Sequence, residues 1–207
     1  MSTTRHRSVI AHHLILTGYG HWLPNDLRGS GSEDFYDVKL APLGPIHHGR
    51  KPPEEQPSRR ELRHFYRKAE PLLNFPIIWF DDAKRQVVAD AFREVISAER
   101  YAVYACAILS NHAHLVIRRH RDDALTMLSK LADASRLRLR FSHKKDIHPD
   151  HPVWSQRPYK VFLYTPDDVR GRVDYVSQNP LKEGLPEQHW DFVVVYDNWP
   201  QHKASAR

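Results

Sequence analysis

Residues 101–119, YAVYACAILSNHAHLVIRR, contain two apolar runs separated by Ser110 and Asn111. Each run is short, rich in β-branched and aromatic residues, and bounded by polar residues, which is typical of a buried strand. The brief polar connection predicts that residues 101–109 and 112–119 form a tight β-turn-β unit. The rest of the fold can be placed outward from this unit.

Two amphipathic segments flank the predicted strand pair. Segment 80–100 begins with two aspartates that can cap a helix, and Val88, Phe92 and Val95 recur in it at helical spacing. Segment 122–145 is predicted to form a second helix, with leucines along one face and a strongly basic far end.

Further apolar runs at 9–17 and 157–164 predict the outer strands. The resulting order resembles β-α-β-β-α-β, an α+β fold of the ferredoxin-like or RRM-like kind, with helices on one face of an antiparallel sheet. We expect a single domain over 1–207, with a Pro-rich loop insertion after the first strand at about 24–76 and a C-terminal extension at about 187–207. A loop as long as this insertion usually indicates function or disorder.

Composition narrows the class of protein. The chain has 207 residues, a formal net charge of +6 and one cysteine, Cys106, so an internal disulfide is excluded and a reducing cytosol is expected. No apolar run is long enough to predict a membrane-spanning helix. The positive net charge favours a polyanionic partner, and nucleic acid is the first candidate.

The second strand of the pair carries His112 and His114, which alternation places on one face of the sheet. Neutral imidazoles there suit a divalent metal ion. However, the chain contains 15 histidines, so about one His-x-His is expected by chance, and two polar residues on an exposed sheet face remain the alternative. A loop set of His143, His148 and His151 fits no zinc spacing and is expected to be structural or solvated.

Segment 165–180, TPDDVRGRVDYVSQNP, is predicted to be a third helix, with a threonine cap, a proline at its first position and a proline stop. Val169, Val173 and Val176 form one stripe that must face the core. Tyr175 lies about 120° from that stripe, on the polar side. A surface role is the usual alternative for such a tyrosine.

Tyr175 and Asn179 are spaced i, i+4, so their side chains can converge, and Arg172 falls near them. A tyrosine hydroxyl titrates near 10, so it attacks a phosphodiester poorly unless the phosphate is polarised. A metal ion held by His112, His114 and an amide oxygen could polarise it. The product would be a 5′-phosphotyrosine and a free 3′-hydroxyl.

Three stretches resemble one family. LSNHAHLVI resembles the HUH motif (histidine, hydrophobic residue, histidine) of single-tyrosine transposases, and VDYVSQNPLKEGL resembles their tyrosine helix. HHLILTGYGHWLPNDLRGS resembles the opening strand and loop of the REP-associated tyrosine transposases, an insertion-sequence-type subgroup. The resemblance implies that Tyr175 is the nucleophile, that His112, His114 and Asn179 are the metal ligands, and that Asn111 supports the motif.

The same resemblance implies Mg²⁺ or Mn²⁺ as cofactor and single-stranded or hairpin DNA as partner, with REP-like repeats as the kind of element cleaved. It also implies a cytoplasmic, nucleoid-associated location of the bacterial type, with no membrane. The chain departs from the family in Ser110, in the small Ala113 and in the longer insertion. Monomer and homodimer, with the site completed in cis or in trans, remain open.

Basic residues after the strand that contains His112 and His114, and at the end of the second helix, are predicted to bind DNA phosphates. These residues are Arg118, Arg119, Arg121, Arg136, Arg138, Arg140, Lys144 and Lys145. A solvated charged surface is the alternative for each of them. Unpaired bases could stack on Trp22, Trp154, Tyr159 and Trp199, although buried packing also explains such residues.

Two rival functions remain. One is a ferredoxin-like nucleic-acid-binding module that performs no chemistry. The other is a zinc hydrolase or structural metalloprotein, which the lack of an acidic general base beside the histidines disfavours.

Overall fold

The computed structural model describes residues 8–30, 38–156 and 158–200. The strands of this part are β1 (Ala11–Thr17), β2 (Val103–Ile108), β3 (His112–Arg118) and β4 (Tyr159–Leu163). The helices are α1 (Arg59–Ala69), α2 (Asp82–Glu99), α3 (Ala124–Ser142) and α4 (Pro166–Lys182), with 3-10 turns at Val38–Leu43, Pro53–Glu55 and Glu70–Leu72.

The four strands form one antiparallel sheet in the order β2-β3-β1-β4. The predicted β2–β3 pair is confirmed, with Leu109 donating its backbone N–H to the His112 carbonyl across the connection at 2.8 Å. The predicted α+β, ferredoxin-like arrangement is therefore confirmed. Strand β4 lies at one edge of the sheet, and β1 and β3 are central.

Helices α2 and α3 pack together on one face of the sheet, as predicted. Asp81 and Asp123 cap them by accepting backbone N–H bonds at 2.9 and 2.7 Å. Buried side chains of both helices, Phe92 and Leu131 among them, contact the sheet residues that alternation points toward this face. This layer forms the main hydrophobic core.

Helix α4 covers the opposite face, so the sheet has helices on both sides rather than on one. The predicted valine stripe packs there: Val169 and Val176 are fully buried against Ala107 and Val116 of the sheet. The predicted stop at Pro180 is wrong by two residues, because the missing proline N–H removes only one helical bond and the helix continues to Lys182.

The insertion is partly folded. It contains the basic helix α1, whose Phe65 and Ala69 form a small apolar cluster with Leu23 and Leu40. This cluster anchors the chain that follows β1. Residues 31–37 of the insertion lie outside the described part.

The C-terminal extension follows the outer edge of β2. The side chain of Gln188 accepts from the Ile108 N–H at 2.9 Å and donates to its carbonyl at 2.8 Å, while Val193 makes a single parallel bridge to Val103. The segment therefore covers the edge mostly as irregular chain, and residues 201–207 lie outside the described part. In the described residues no helix is long and apolar enough to cross a membrane.

Candidate active site

Strand β3 presents its two histidines to the face that α4 covers. Ala113 and Leu115 point into the α2–α3 core, whereas His114 and Val116 lie on the other side, so the predicted alternation is confirmed. The imidazole rings of His112 and His114 have centroids 4.7 Å apart.

A third histidine, which the sequence did not single out, completes the cluster. The register of β1 pairs His13 with Val116, which places the His13 side chain diagonally beside His114. His13 Nε2 lies 2.9 Å from His114 Nδ1, and the two rings are stacked with centroids 5.0 Å apart. Alternation in VIAHHLILT predicts on which face of the strand the His13 side chain lies. That His114 is its neighbour follows only from the pairing of β1 with β3, which are distant in the sequence.

Each histidine of the motif has its Nδ1 engaged. His112 Nδ1 donates to Asn111 Oδ1 at 2.6 Å, which fixes the tautomer and leaves the lone pair of His112 Nε2 available. His114 Nδ1 is engaged by His13. A partner on one ring nitrogen that orients the other is the usual support of a metal-binding imidazole.

Burial keeps all three imidazoles neutral. Desolvation lowers the pKa of His13, His112 and His114 to about 3. For His112, His114 and the positive charges of Arg28 and Arg50 contribute to this lowering of the pKa beside desolvation. Neutral imidazole is the form that binds a metal ion.

Helix α4 brings Tyr175 to the histidines within one chain. The helix begins with a capping box in which Asp168 N–H donates to Thr165 Oγ1 at 3.1 Å and Asp168 Oδ2 accepts from Thr165 N–H at 2.9 Å. The half-buried Tyr175 ring has its centroid 6.0 Å from that of His114 and 6.2 Å from that of His13. Its angular offset from the valine stripe places it at the border of the helix–sheet contact.

Positive charges surround the tyrosine. The Arg172 guanidinium lies 5.3 Å and Lys182 Nζ 5.2 Å from the Tyr175 ring centroid, both within cation–π range. Arg28 and Arg50 of the insertion also act electrostatically on His112, and neither was predicted as a site residue. The site therefore favours an anionic ligand.

Asn179 is one helical turn beyond Tyr175 and retains helical geometry. Its side chain is buried, and its Nδ2 has no hydrogen-bond partner among the described residues. In the described ranges no group of three or more His, Cys, Asp or Glu side chains is placed to hold a metal ion. That statement does not cover the predicted set of His112, His114 and Asn179, because its third member is an amide. Binding of a metal ion by these three residues remains a prediction.

One of the three loop histidines, His151, has a structural role. His151 is buried, its Nε2 donates to the Pro76 carbonyl at 2.8 Å, and its Nδ1 accepts from Val153 N–H at 2.9 Å. His143 and His148 are in the same loop, away from the β3 pair.

The predicted DNA contacts fall into two groups. Arg118 and Arg119 leave the end of β3, where Arg118 lies 4.0 Å over the Trp199 ring and Arg119 donates to Ser8 Oγ at 2.9 Å. Arg121 is largely exposed and follows them along the chain. These three arginines are at the end of β3 opposite to His112.

The second group belongs to the end of α3, across the sheet from Tyr175. Arg136 and Arg138 form ion pairs at 2.8 and 2.9 Å, and Arg140 donates to a backbone carbonyl at 2.7 Å. Lys144 and Lys145 are exposed. The fold does not bring this group to the histidines, so its contact with DNA remains a prediction for a separate surface.

The predicted stacking residues differ in exposure. Trp154 is buried and donates to Ser135 Oγ at 2.9 Å, which is a packing role. Tyr159 is exposed on β4, and Trp22 is covered by the Arg28 guanidinium at 3.7 Å.

No family model and no curated protein matches the chain. Two solved structures are similar to it. A REP-associated tyrosine transposase bound to a REP hairpin aligns over 90% of this chain and 76% of its own, with 13% identity and a TM-score of 0.45. A protein from Deinococcus radiodurans R1, provisionally described as a transposase, aligns over 86% of this chain and 97% of its own, with 13% identity and a TM-score of 0.41. Alignments at this level assign no function to the chain.

Proposed function

We propose that the protein cleaves and rejoins single-stranded DNA through Tyr175, in the manner of an HUH single-tyrosine transposase. The observation that carries the proposal is the position of Tyr175 beside His114, because the two residues are 61 positions apart and only the packing of α4 on the sheet unites them.

The residues of the site fit a divalent metal ion. His112 and His114 are neutral and have an oriented Nδ1, and the buried Asn179 would offer its amide oxygen. These three residues would hold Mg²⁺ or Mn²⁺, which would supply Lewis-acid polarisation of the scissile phosphate. His13 positions His114 without contacting the substrate.

In the proposed reaction, Tyr175 Oη attacks the phosphorus and the bond from phosphorus to the 3′-oxygen breaks. Tyr175 loses its phenolic proton, and the released 3′-oxygen gains one. Arg172 and Lys182 hold the phosphate and offset its developing negative charge. Attack of a 3′-hydroxyl on the phosphotyrosine reverses these steps, so rejoining needs no external energy source.

The proposal is tested with 5′-labelled and 3′-labelled hairpin oligonucleotides that carry single-stranded flanks, incubated with Mg²⁺ or Mn²⁺ and resolved on a denaturing gel. We expect a covalent adduct that retains the DNA 3′ of the cut, and peptide mass mapping should place it on Tyr175. Tyr175→Phe and EDTA should abolish it. Tyr159→Phe, which alters an exposed tyrosine of β4, should preserve it. An adduct that survives Tyr175→Phe contradicts the proposal, and binding without any adduct supports the non-catalytic module.

A further inference from the structure

Helix α1 of the insertion concentrates the positive charge of the protein. Its 11 residues include five arginine or lysine side chains and one glutamate, a net charge of +4 against +6 for the whole chain. All five basic side chains are exposed, as is the histidine among them. These residues are Arg59, Arg60, Arg63, His64, Arg67 and Lys68. The proposed cleavage chemistry uses none of them.

The opposite side of α1 is fixed to the rest of the insertion. Phe65 and Ala69 are buried in the small apolar cluster described above. The Tyr66 hydroxyl donates to Asp26 Oδ2 at 2.6 Å and accepts from Arg28 Nη2 at 2.6 Å. A helix turns about 100° per residue, so the basic residues occupy an arc of about 180° centred opposite to these anchors. The anchors therefore hold the basic arc toward solvent.

Pairing with acidic side chains does not account for the basic arc. Within the described residues, no ion pair involves a basic side chain of α1, whereas arginines of the other long helices have such partners, as Arg138 of α3 has Glu94 at 2.9 Å. The one acid of α1, Glu61, accepts from Ser58 N–H and Oγ in the capping box at 2.8 and 2.6 Å. The charge of the arc is therefore free to bind an external anion.

The spacing of the basic residues is unfavourable for the helix itself. Arg59 and Arg63, and again Arg63 and Arg67, are related as i, i+4, where like charges repel each other. Arg59 and Arg60 also lie in the first turn, where the helix dipole disfavours cations. Folding alone gives no reason for this arrangement, and binding of a polyanion does.

The dimensions of α1 fit double-stranded DNA. A duplex carries one negative charge per about 1.7 Å of its axis, so a helix about 16 Å long lies alongside about nine phosphates. A helix with its side chains is about 10–12 Å wide, close to the width of the major groove, so an arc of 180° reaches phosphates on both edges of that groove. The basic arc contains no Phe, Tyr or Trp on which unpaired bases could stack, and this favours a duplex over a single strand.

We propose that the basic arc of α1 is a separate DNA-binding surface, which binds the phosphate backbone of double-stranded DNA without reading its sequence. It requires no hairpin, no unpaired nucleotide and no cleavage site. Its ligand therefore differs from that of the Tyr175 site, and the inference does not depend on the proposed chemistry. The surface retains the protein on duplex DNA close to the single strands on which the Tyr175 site acts.

The test is binding of the full-length protein to a fluorescent, blunt-ended duplex of two helical turns, about 20 base pairs, followed by anisotropy at several salt concentrations. A duplex of unrelated sequence and a single strand of the same length are the comparison probes. The test variant combines Arg60→Gln, Arg63→Gln and Arg67→Gln. The matched control removes the same charge from α2, its end and α4 by combining Arg93→Gln, Arg100→Gln and Arg170→Gln.

We expect the α1 variant to bind the duplex about 10–100-fold more weakly at low salt, with the slope of log affinity against log salt reduced by about 2.7, or about 0.9 for each lost phosphate contact. The control should keep the slope of its parent, and so should a variant with lysine at the three α1 positions, because it keeps the charges. Both duplexes should bind equally. The melting temperature of the α1 variant should not fall, because repulsion between like charges is relieved.

Unchanged duplex binding by the α1 variant overturns the inference, and so does an equal loss in the control, which would reflect net charge alone. A larger loss with the single strand than with the duplex overturns the choice of partner. If the α1 variant is poorly folded, Arg63→Gln alone replaces it, with an expected slope change of about 0.9, and an unaltered slope overturns the inference.

The two proposals fail in different ways. Tyr175→Phe should leave duplex binding unchanged, and the α1 variant at saturating hairpin DNA should still form the adduct. Failure of the proposed function appears as the absence of an adduct in the wild-type protein, whatever the duplex affinity.

Discussion

His13→Phe is the substitution that best tests how the histidine cluster works. His13 is 1% exposed, and the one hydrogen bond that its side chain makes among the described residues joins its Nε2 to His114 Nδ1. Phenylalanine keeps a ring that can stack on His114 but cannot bond to it. The substitution leaves His114 Nδ1 unpaired but also removes the buried Nδ1 of His13, which has no partner among the described residues, so the free energy of unfolding should change by less than the about 1–3 kcal/mol that one unpaired buried polar atom costs.

The effect on metal dependence should be larger than the effect on folding. Loss of the group that orients a metal-binding histidine weakens metal affinity about 10–100-fold. The Mn²⁺ concentration that gives half-maximal adduct should therefore rise by that factor, while adduct formation at saturating Mn²⁺ should recover most of its rate. The measurement is a Mn²⁺ titration of adduct yield, beside urea unfolding without metal.

His12→Phe is the control, since His12 is the neighbouring buried histidine but packs against Phe162 on the other face of the sheet. It should leave the Mn²⁺ midpoint unchanged. An unchanged midpoint in His13→Phe, or an equal shift in both variants, would refute the positioning role of His13.

Three further outcomes are expected. His13 and His114 stay neutral in the folded protein, whereas histidines of the unfolded chain become protonated below about pH 6.5. The free energy of unfolding should therefore fall as the pH drops from 6.5 toward 3, by about 2–4 kcal/mol at pH 5. Urea unfolding at pH 7.5 and 5.0 measures this loss, and equal stabilities would contradict it. Arg28→Ala leaves the buried Asp26 carboxylate without its ion pair, so the free energy of unfolding should fall by about 3–5 kcal/mol. Thermal or urea unfolding measures this, and no loss would show that the ion pair is dispensable. Lys182→Ala should reduce the slope of log affinity against log salt for single-stranded DNA by about 0.7, and an unaltered slope would remove this lysine from the phosphate contacts.

Several parts of the site could be predicted because they depend on local geometry. Strand alternation alone puts His112 and His114 on one face, and helical periodicity alone separates Tyr175 from the valine stripe. The adjacency of Asn111 to His112 likewise needs no tertiary information. The capped helices and the βαββαβ order follow from hydrophobic period and end signals in the same way.

Other features depend on how distant segments meet. We predicted helices on one face of the sheet, but the valines of α4 pack on the histidine face because α2 and α3 fill the other. His13 reaches His114 through the register of β1 against β3, which is set by the burial of both strands together. The sequence thus determined which residues share a face within each element. The tertiary structure decided which faces meet, because that choice is made by the joint burial of apolar surfaces far apart in the chain.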